Sequence, residues 1–276
     1  MKNAFVLAPL LFSKNLFIPD LLGRALLAFG LYCLASSSVY LFNDIVDIEH
    51  DRLHPQKRLR PMASGRVSLR LGTFAAAALA AVAATGALEL GWPFTLTLLT
   101  YWAINLAYTL RLKHEVFLDV FAVSSGFVIR VVGGGLTIGV EISHWLLICT
   151  TLLALYLGFS KRRHELGVLG RQAGNHRAVL RNYSPAFLDM MISIVTACTL
   201  MSYALYTVSE ETVSKFGTRG LLMTSPFVLY GIFRYLFLVY HRSEGGDPTQ
   251  DLLSDKPSMV NLCLWVAAVA AVLYWP

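Results

Sequence analysis

Charge is scarce in this chain. Lys, Arg, Asp and Glu make up 14% of its 276 residues, where a soluble domain carries about a quarter. Cysteine is scarce as well. Cys33, Cys149, Cys198 and Cys263 stand singly inside apolar runs, and no C-x-x-C pair occurs. That spacing excludes a disulfide framework or a thiolate zinc site and leaves small packing residues. No Pro/Gly-rich stretch separates off a soluble domain. No small-residue cleavage site follows the opening "MKNAFVLAPLLFSKN", so it reads as a first span rather than a signal peptide. Segments of about ten alternating residues, the mark of a membrane β-barrel, are missing too.

Apolar residues are what the chain has in quantity. They make up 56% of it, and the mean hydropathy is +0.58. Apolar segments near the ~17–25 residues that cross a bilayer recur along most of the length. The expected fold is all-α: a polytopic membrane protein, one domain over 1–276. Nine helices are expected, at about 4–18, 22–42, 68–88, 92–110, 116–138, 143–160, 184–208, 219–240 and 257–275. Nine spans put seventeen of the 23 Lys and Arg on the face holding the N-terminus and loops 43–67, 111–115, 161–183 and 241–256, and four on the other. The basic face is therefore expected to be cytoplasmic.

Positive-inside topology does not call for clustered acids, yet "NDIVDIEHDRLHPQKRLRP" (43–61) has both signs. Asp44, Asp47 and Asp51 are spaced i, i+3, i+7 and fall on one helix face within an arc of about 60°. Glu49 points elsewhere. At roughly 7 Å, neighbouring carboxylates repel by about 2 kcal/mol at an effective dielectric near 20, so the face is expected to hold a cation. Hard oxygen ligands without cysteine suit Mg²⁺, which bridges carboxylates to a substrate's phosphates. Pro55 is expected to stop the helix. Lys57, Arg58 and Arg60 follow, suited to phosphate oxygens. "HDRLH" also resembles the zincin H-E-x-x-H, but Asp replaces the usual Glu base and a proline follows the second His.

Other polar groups gather on the same predicted face. "YTLRLKHEVFLD" (108–119) places Lys113 and Asp119 there, with Asp119 opening an apolar span where a charge is costly. "SKRRHE" (160–165) presents Lys161, Arg162 and Glu165, either an anion patch or an intrahelical Lys–Glu pair. Arg130 lies well inside the fifth span, where a cation costs at least about 3 kcal/mol. It should face a polar cavity or a partner, as should Arg234. Asp247, Asp251 and Asp255 read as a solvated loop.

"NDIVDIEHD" resembles the NDxxDxxxD signature of the UbiA superfamily of intramembrane prenyltransferases. Together with "HPQKRLRP", "LKHEVFLD", "SSGFVIRVVGGG" and "KRRHEL", the chain resembles its decaprenyl-phosphate phosphoribosyltransferase branch through most of its length. The resemblance implies a UbiA-like bundle with its site at the cytoplasmic mouth, in a bacterial inner membrane. Where ordinary members carry a second acidic motif, DxxxD, Lys161 and Glu165 stand here. An extra phosphate on the donor would account for that change.

The implied reaction is Mg²⁺-dependent transfer of 5-phosphoribosyl from phosphoribosyl pyrophosphate to a polyprenyl phosphate such as decaprenyl phosphate, releasing pyrophosphate. Asp44 and Asp47, supported by Asn43 and Asp51, would hold the metal. Lys57, Arg58 and Arg60 would neutralise phosphate. Lys113, Asp119, Arg130, Lys161, Arg162 and Glu165 complete the implied substrate-binding set. Expected partners are these two substrates and the membrane, with no nucleic acid, and a homo-oligomer is left open. The alternatives are an aromatic or quinone prenyltransferase and an anionic-lipid transporter.

Overall fold

The computed structural model describes residues 2–53, 57–169, 178–241 and 248–275. Every regular element among them is a helix. Seven are long and apolar enough to cross a membrane: Pro19–Val46, Leu69–Glu89, Leu118–Ile138, His144–Val168, Pro185–Val208, Gly220–His241 and Lys256–Tyr274. The chain is thus a multi-pass helical membrane protein. Of the other two expected spans, the first is a short apolar helix, Lys2–Leu11. The other, Trp92–Leu110, has length enough but carries four threonines and an asparagine. The positions of Pro55, Arg171, Arg177, Arg242 and Asp247 lie outside the described residues.

Contacts divide the chain into two compact units, Asn3–Glu141 and Ile142–Pro276, the latter with the first two residues. The first contains α1 (Ala8–Leu11), α2 (Pro19–Val46), α3 (Ile48–Leu53), α4 (Leu69–Glu89), α5 (Trp92–Leu110) and α6 (Leu118–Ile138). Small residues set its packing. Ala28 and Ala35 of α2 lie in one buried cluster with Ala83 and Ala87 of α4, so the helices approach closely, as membrane helices do where small side chains meet. Tyr32, Phe94, Leu98 and Tyr101 fill the same cluster. Gly134 of α6 is required by contact: a Cβ there would lie 2.0 Å from the Val6 carbonyl oxygen. The N-terminal segment rests on α6 through that gap.

The second unit contains α7 (His144–Leu169), α8 (Pro185–Val208), α9 (Glu210–Phe216), α10 (Ser225–His241), α11 (Pro248–Ser254) and α12 (Lys256–Tyr274). Two of its long helices start on side-chain caps. Ser184 accepts from the Phe187 N–H ahead of Pro185, and Asp255 accepts from the Ser258 N–H, each satisfying a donor that a helix start leaves orphaned. Tyr156 donates to the Ile232 carbonyl at 2.9 Å. Trp265 donates to the Tyr203 hydroxyl, which is also bonded to Thr224.

Two boundaries differ from expectation where it matters. The second helix runs on to Val46, so Asn43 and Asp44 belong to its last turn. The helix expected to stop at 160 continues to Leu169, so Lys161, Arg162 and Glu165 sit on regular helix. In both cases polar residues extend an apolar helix past the end of its hydropathy signal, because backbone hydrogen bonding is indifferent to that boundary.

Candidate active site

The acids occupy the end of α2 and the start of α3. Asp47, at the junction, barely interrupts the helical path. Its N–H still bonds the Asn43 carbonyl at 2.9 Å, and its own carbonyl accepts from the Asp51 N–H at 2.8 Å. Asp44 and Asp51, seven residues apart, therefore stay on nearly one side. A regular helix would space their backbones by about 10.5 Å. Their side chains lean together instead, onto one atom. Arg60 Nη1 donates to Asp44 Oδ1 at 2.7 Å and to Asp51 Oδ2 at 2.8 Å. Asp51 is 3% exposed, and Arg60 keeps 39% of its side-chain surface in the open.

Asp47 turns to a different partner. Lys113, in the 3₁₀ turn Leu112–His114 between α5 and α6, donates to Asp47 Oδ1 at 2.6 Å. Asn43 accepts from the Thr109 hydroxyl on α5. The chain enters α6 through Phe117 at φ +66°, and Asp119 is fully buried in the first turn. Lys57 and Arg58 lie exposed on the turn before Arg60. The three acids were expected to need a cation, and cations hold them here, supplied by the chain's own Arg60 and Lys113.

The residues fit a divalent ion of the hard class. One positive nitrogen already draws oxygens of two carboxylates together, and such hard oxygens are the ligand class that Mg²⁺ takes. Among the described residues no three acid, His or Cys side chains converge to enclose a metal. Two carboxylates with water and substrate oxygens match the usual Mg²⁺ habit. The pair brought together on one atom is Asp44 and Asp51, whereas the resemblance implied Asp44 and Asp47 as the principal pair with Asp51 in support.

Arg130 is not part of this group. It is 4% exposed and bonds at the level of Ser36, two turns back along α2. Its Nε donates to Asn3 Oδ1 at 2.8 Å and its Nη1 to the Gly126 carbonyl at 2.7 Å. Its Nη2 donates to Ser36 Oγ and Tyr101 OH, each at 3.0 Å. The guanidinium also lies over the Tyr101 ring at 4.6 Å. Neutral oxygens and an aromatic face thus stand in for water around this cation. The expected polar surroundings exist. Their members Asn3, Ser36 and Tyr101 carried no sequence signal beyond being polar in apolar runs.

The second unit is organised differently. Arg162, 3% exposed, closes on Glu165 at 2.5 Å, three residues on. Arg163 donates to Asp189 at 2.7 Å, and Tyr240 donates to the same oxygen at 2.6 Å. Asp189 was overlooked in the sequence, although a carboxylate in "PAFLDMMIS" was a signal of the kind that singled out Arg130. The solvated-loop expectation for Asp255 is corrected. It is 5% exposed and holds Arg234 through two bonds, at 3.0 and 2.7 Å. The Arg234 guanidinium and the Ser258 hydroxyl and N–H hold the Asp255 carboxyl well below the usual carboxylate range against the opposing effect of burial. A span that contains an arginine and a helix start that needs a cap satisfy each other there.

Residues 4–249 match the model of the UbiA prenyltransferase family. Over its whole length the chain is 30% identical to the decaprenyl-phosphate phosphoribosyltransferase of Mycolicibacterium smegmatis, covering 89% of that protein. It is 32% identical over 99% of its length to the protein of the same name from Corynebacterium glutamicum, covering 83% of it. A UbiA homolog from Archaeoglobus fulgidus bound to GPP and Mg²⁺ superposes with a TM-score of 0.69 at 19% identity, over 99% of this chain and all of that one. That likeness is one of fold. The chain belongs to the UbiA prenyltransferase family.

Proposed function

We propose that this UbiA-family membrane protein transfers the 5-phosphoribosyl group of phosphoribosyl pyrophosphate to a polyprenyl phosphate and releases pyrophosphate. The observation that carries the reading is the convergence of Asp44 and Asp51 on one cationic atom beside the basic turn that holds Lys57 and Arg58. The two relatives named above, similar along nearly the whole chain, support the substrates. The family match runs through both units, which supports one transferase domain over 1–276. The Lys/Arg asymmetry supports a cytoplasmic site, and the bacterial relatives support a bacterial inner membrane.

Asp44 and Asp51, with Asp47 beside them, would hold Mg²⁺, which when bound supplies positive charge to the leaving pyrophosphate. Lys57, Arg58 and Arg60 neutralise phosphate oxygens as the C1–O bond of the ribose lengthens, an effect that grows toward the transition state. The lipid phosphate attacks C1. It is already ionised, so no residue acts as general base. In-line displacement inverts C1, giving a β linkage from an α donor. Glu165 engaged by Arg162, on a helix that also carries Lys161 and Arg163, supports a basic patch in place of a second acidic metal motif. The phosphate roles of Lys161 and Arg162 rest on the sequence resemblance.

The test is ribose-labelled phosphoribosyl pyrophosphate incubated with purified protein, Mg²⁺ and a polyprenyl phosphate, followed by counting of the organic phase. Label that moves only with Mg²⁺ and lipid phosphate is expected. No transfer, with alkylation of an aromatic acid by a prenyl pyrophosphate, would return the chain to ordinary UbiA chemistry. Neither activity in folded protein would favour transport.

A further inference from the structure

We infer that Arg60 is a resident counter-ion that competes with the divalent cation for Asp44 and Asp51, and that cation entry frees it for the donor's phosphate. The competition rests on the metal role given above to Asp44 and Asp51, and the last step rests also on the proposed reaction. The geometry supports competition. Both carboxylates meet the same nitrogen, at 2.7 and 2.8 Å, so a cation that took both oxygens would have to displace it. Asp51 has 4% of its side-chain surface exposed, and burying a carboxylate is costly unless a positive group is paired with it. One cation or the other must hold it.

The arginine is built to leave. Its backbone is tied down: its N–H bonds the Lys57 carbonyl and its carbonyl accepts from the Ser64 N–H, both at 2.9 Å. Its long side chain, by contrast, keeps 39% of its surface in the open. It can swing out without moving α2 or α3. Once the acids are taken by a metal, the negative charge nearest to it is the phosphate that accompanies the metal, a group it binds bidentately.

Competition has a numerical consequence. If the engaged arrangement outweighs the released one by about ten, apparent metal affinity falls about tenfold. Removing the guanidinium should therefore strengthen metal binding in the absence of substrate while it weakens transfer. A residue that served only to bind phosphate would leave metal affinity unchanged.

The experiment uses the full-length protein in detergent, without substrates, and Mn²⁺ followed by electron paramagnetic resonance. Arg60→Gln is expected to lower the Mn²⁺ Kd about tenfold, with Arg60→Lys in between. An unchanged or higher Kd in folded Arg60→Gln protein overturns the inference. A second measurement needs no substitution at Arg60. Modification of Arg60 by phenylglyoxal, mapped by mass spectrometry, should quicken several-fold when Mg²⁺ is added, and Asp44→Asn should abolish that response. A rate that Mg²⁺ leaves unchanged or slows overturns the inference equally. Neither readout involves transfer, so failure of the proposed reaction would show separately, in the radiolabel assay.

Discussion

The two units treat their charges in opposite ways. In Asn3–Glu141, two carboxylates share one arginine and a third takes a lysine 66 residues away, while the buried Arg130 donates to neutral oxygens. Among the described residues of Ile142–Pro276, an arginine meets an acid in each of three places: Arg162 with Glu165, Arg163 with Asp189, and Arg234 with Asp255. Matched pairs close a structure. Two acids converging on one cation leave negative charge for an incoming ion to share. Convergence, rather than the number of charges, distinguishes the candidate site from the staples.

The strongest way to break this comparison is to neutralise one acid in each unit. Asp51→Asn is expected to cut transfer at ordinary Mg²⁺ by about 10²–10³, the scale of losing one electrostatic stabiliser of a transition state. Asp189→Asn should leave turnover per folded molecule within about threefold. Comparable losses in the radiolabel assay would erase the distinction between site and staple.

Next in size is the staple itself. Arg234→Met strands a buried carboxylate, which costs about 3 kcal/mol or more and should lower the melting temperature by about 6–10 °C. Adding Asp255→Asn should recover most of that loss. The pair also predicts a pH dependence. Because the folded Asp255 carboxyl lies below its ordinary value, its contribution is fully present above about pH 4 and lost as pH falls toward the folded value. Acid melting curves of the parent should steepen in that window, and those of Arg234→Met should not.

Arg130→Met sharpens the contrast between the two buried arginines. It leaves Asn3, Ser36 and Tyr101 without their common donor, for about 2–3 kcal/mol. The expected result is a lower melting temperature with an unchanged KM for phosphoribosyl pyrophosphate. A raised KM at unchanged stability would move Arg130 into the substrate site. The smallest effect belongs to Glu49, on the far side of the acidic helix. Its exposed pair with Arg52 should contribute under about 0.5 kcal/mol, so Glu49→Ala should alter neither melting nor transfer.

Much of this was legible in the residues. Hydropathy located the long helices to within a few positions at most of their ends, and the i, i+3, i+7 spacing found the acidic face. The cost of charge in a span flagged both Arg130 and Arg234. What escaped was the set of partners. Asp255 looked solvated because it lies among polar residues, and Asp189 went unnoticed among apolar ones. A charge in a sequence carries a sign and a position along the chain, with no distance to anything outside its own helix.

The sequence by itself determined the class of molecule, the helical segments, the family and the side chains that could share a helix face. These follow from backbone periodicity and transfer free energy, which act over a few residues, and from motifs that are read along the chain. Only the tertiary structure decided that Arg60 bridges Asp44 and Asp51, that Lys113 takes Asp47, and that Asn3 reaches Arg130 across 127 positions. Such pairings depend on which helices pack together and how closely, and here small residues at the contacts, Ala28, Ala35, Ala83, Ala87 and Gly134, set that closeness.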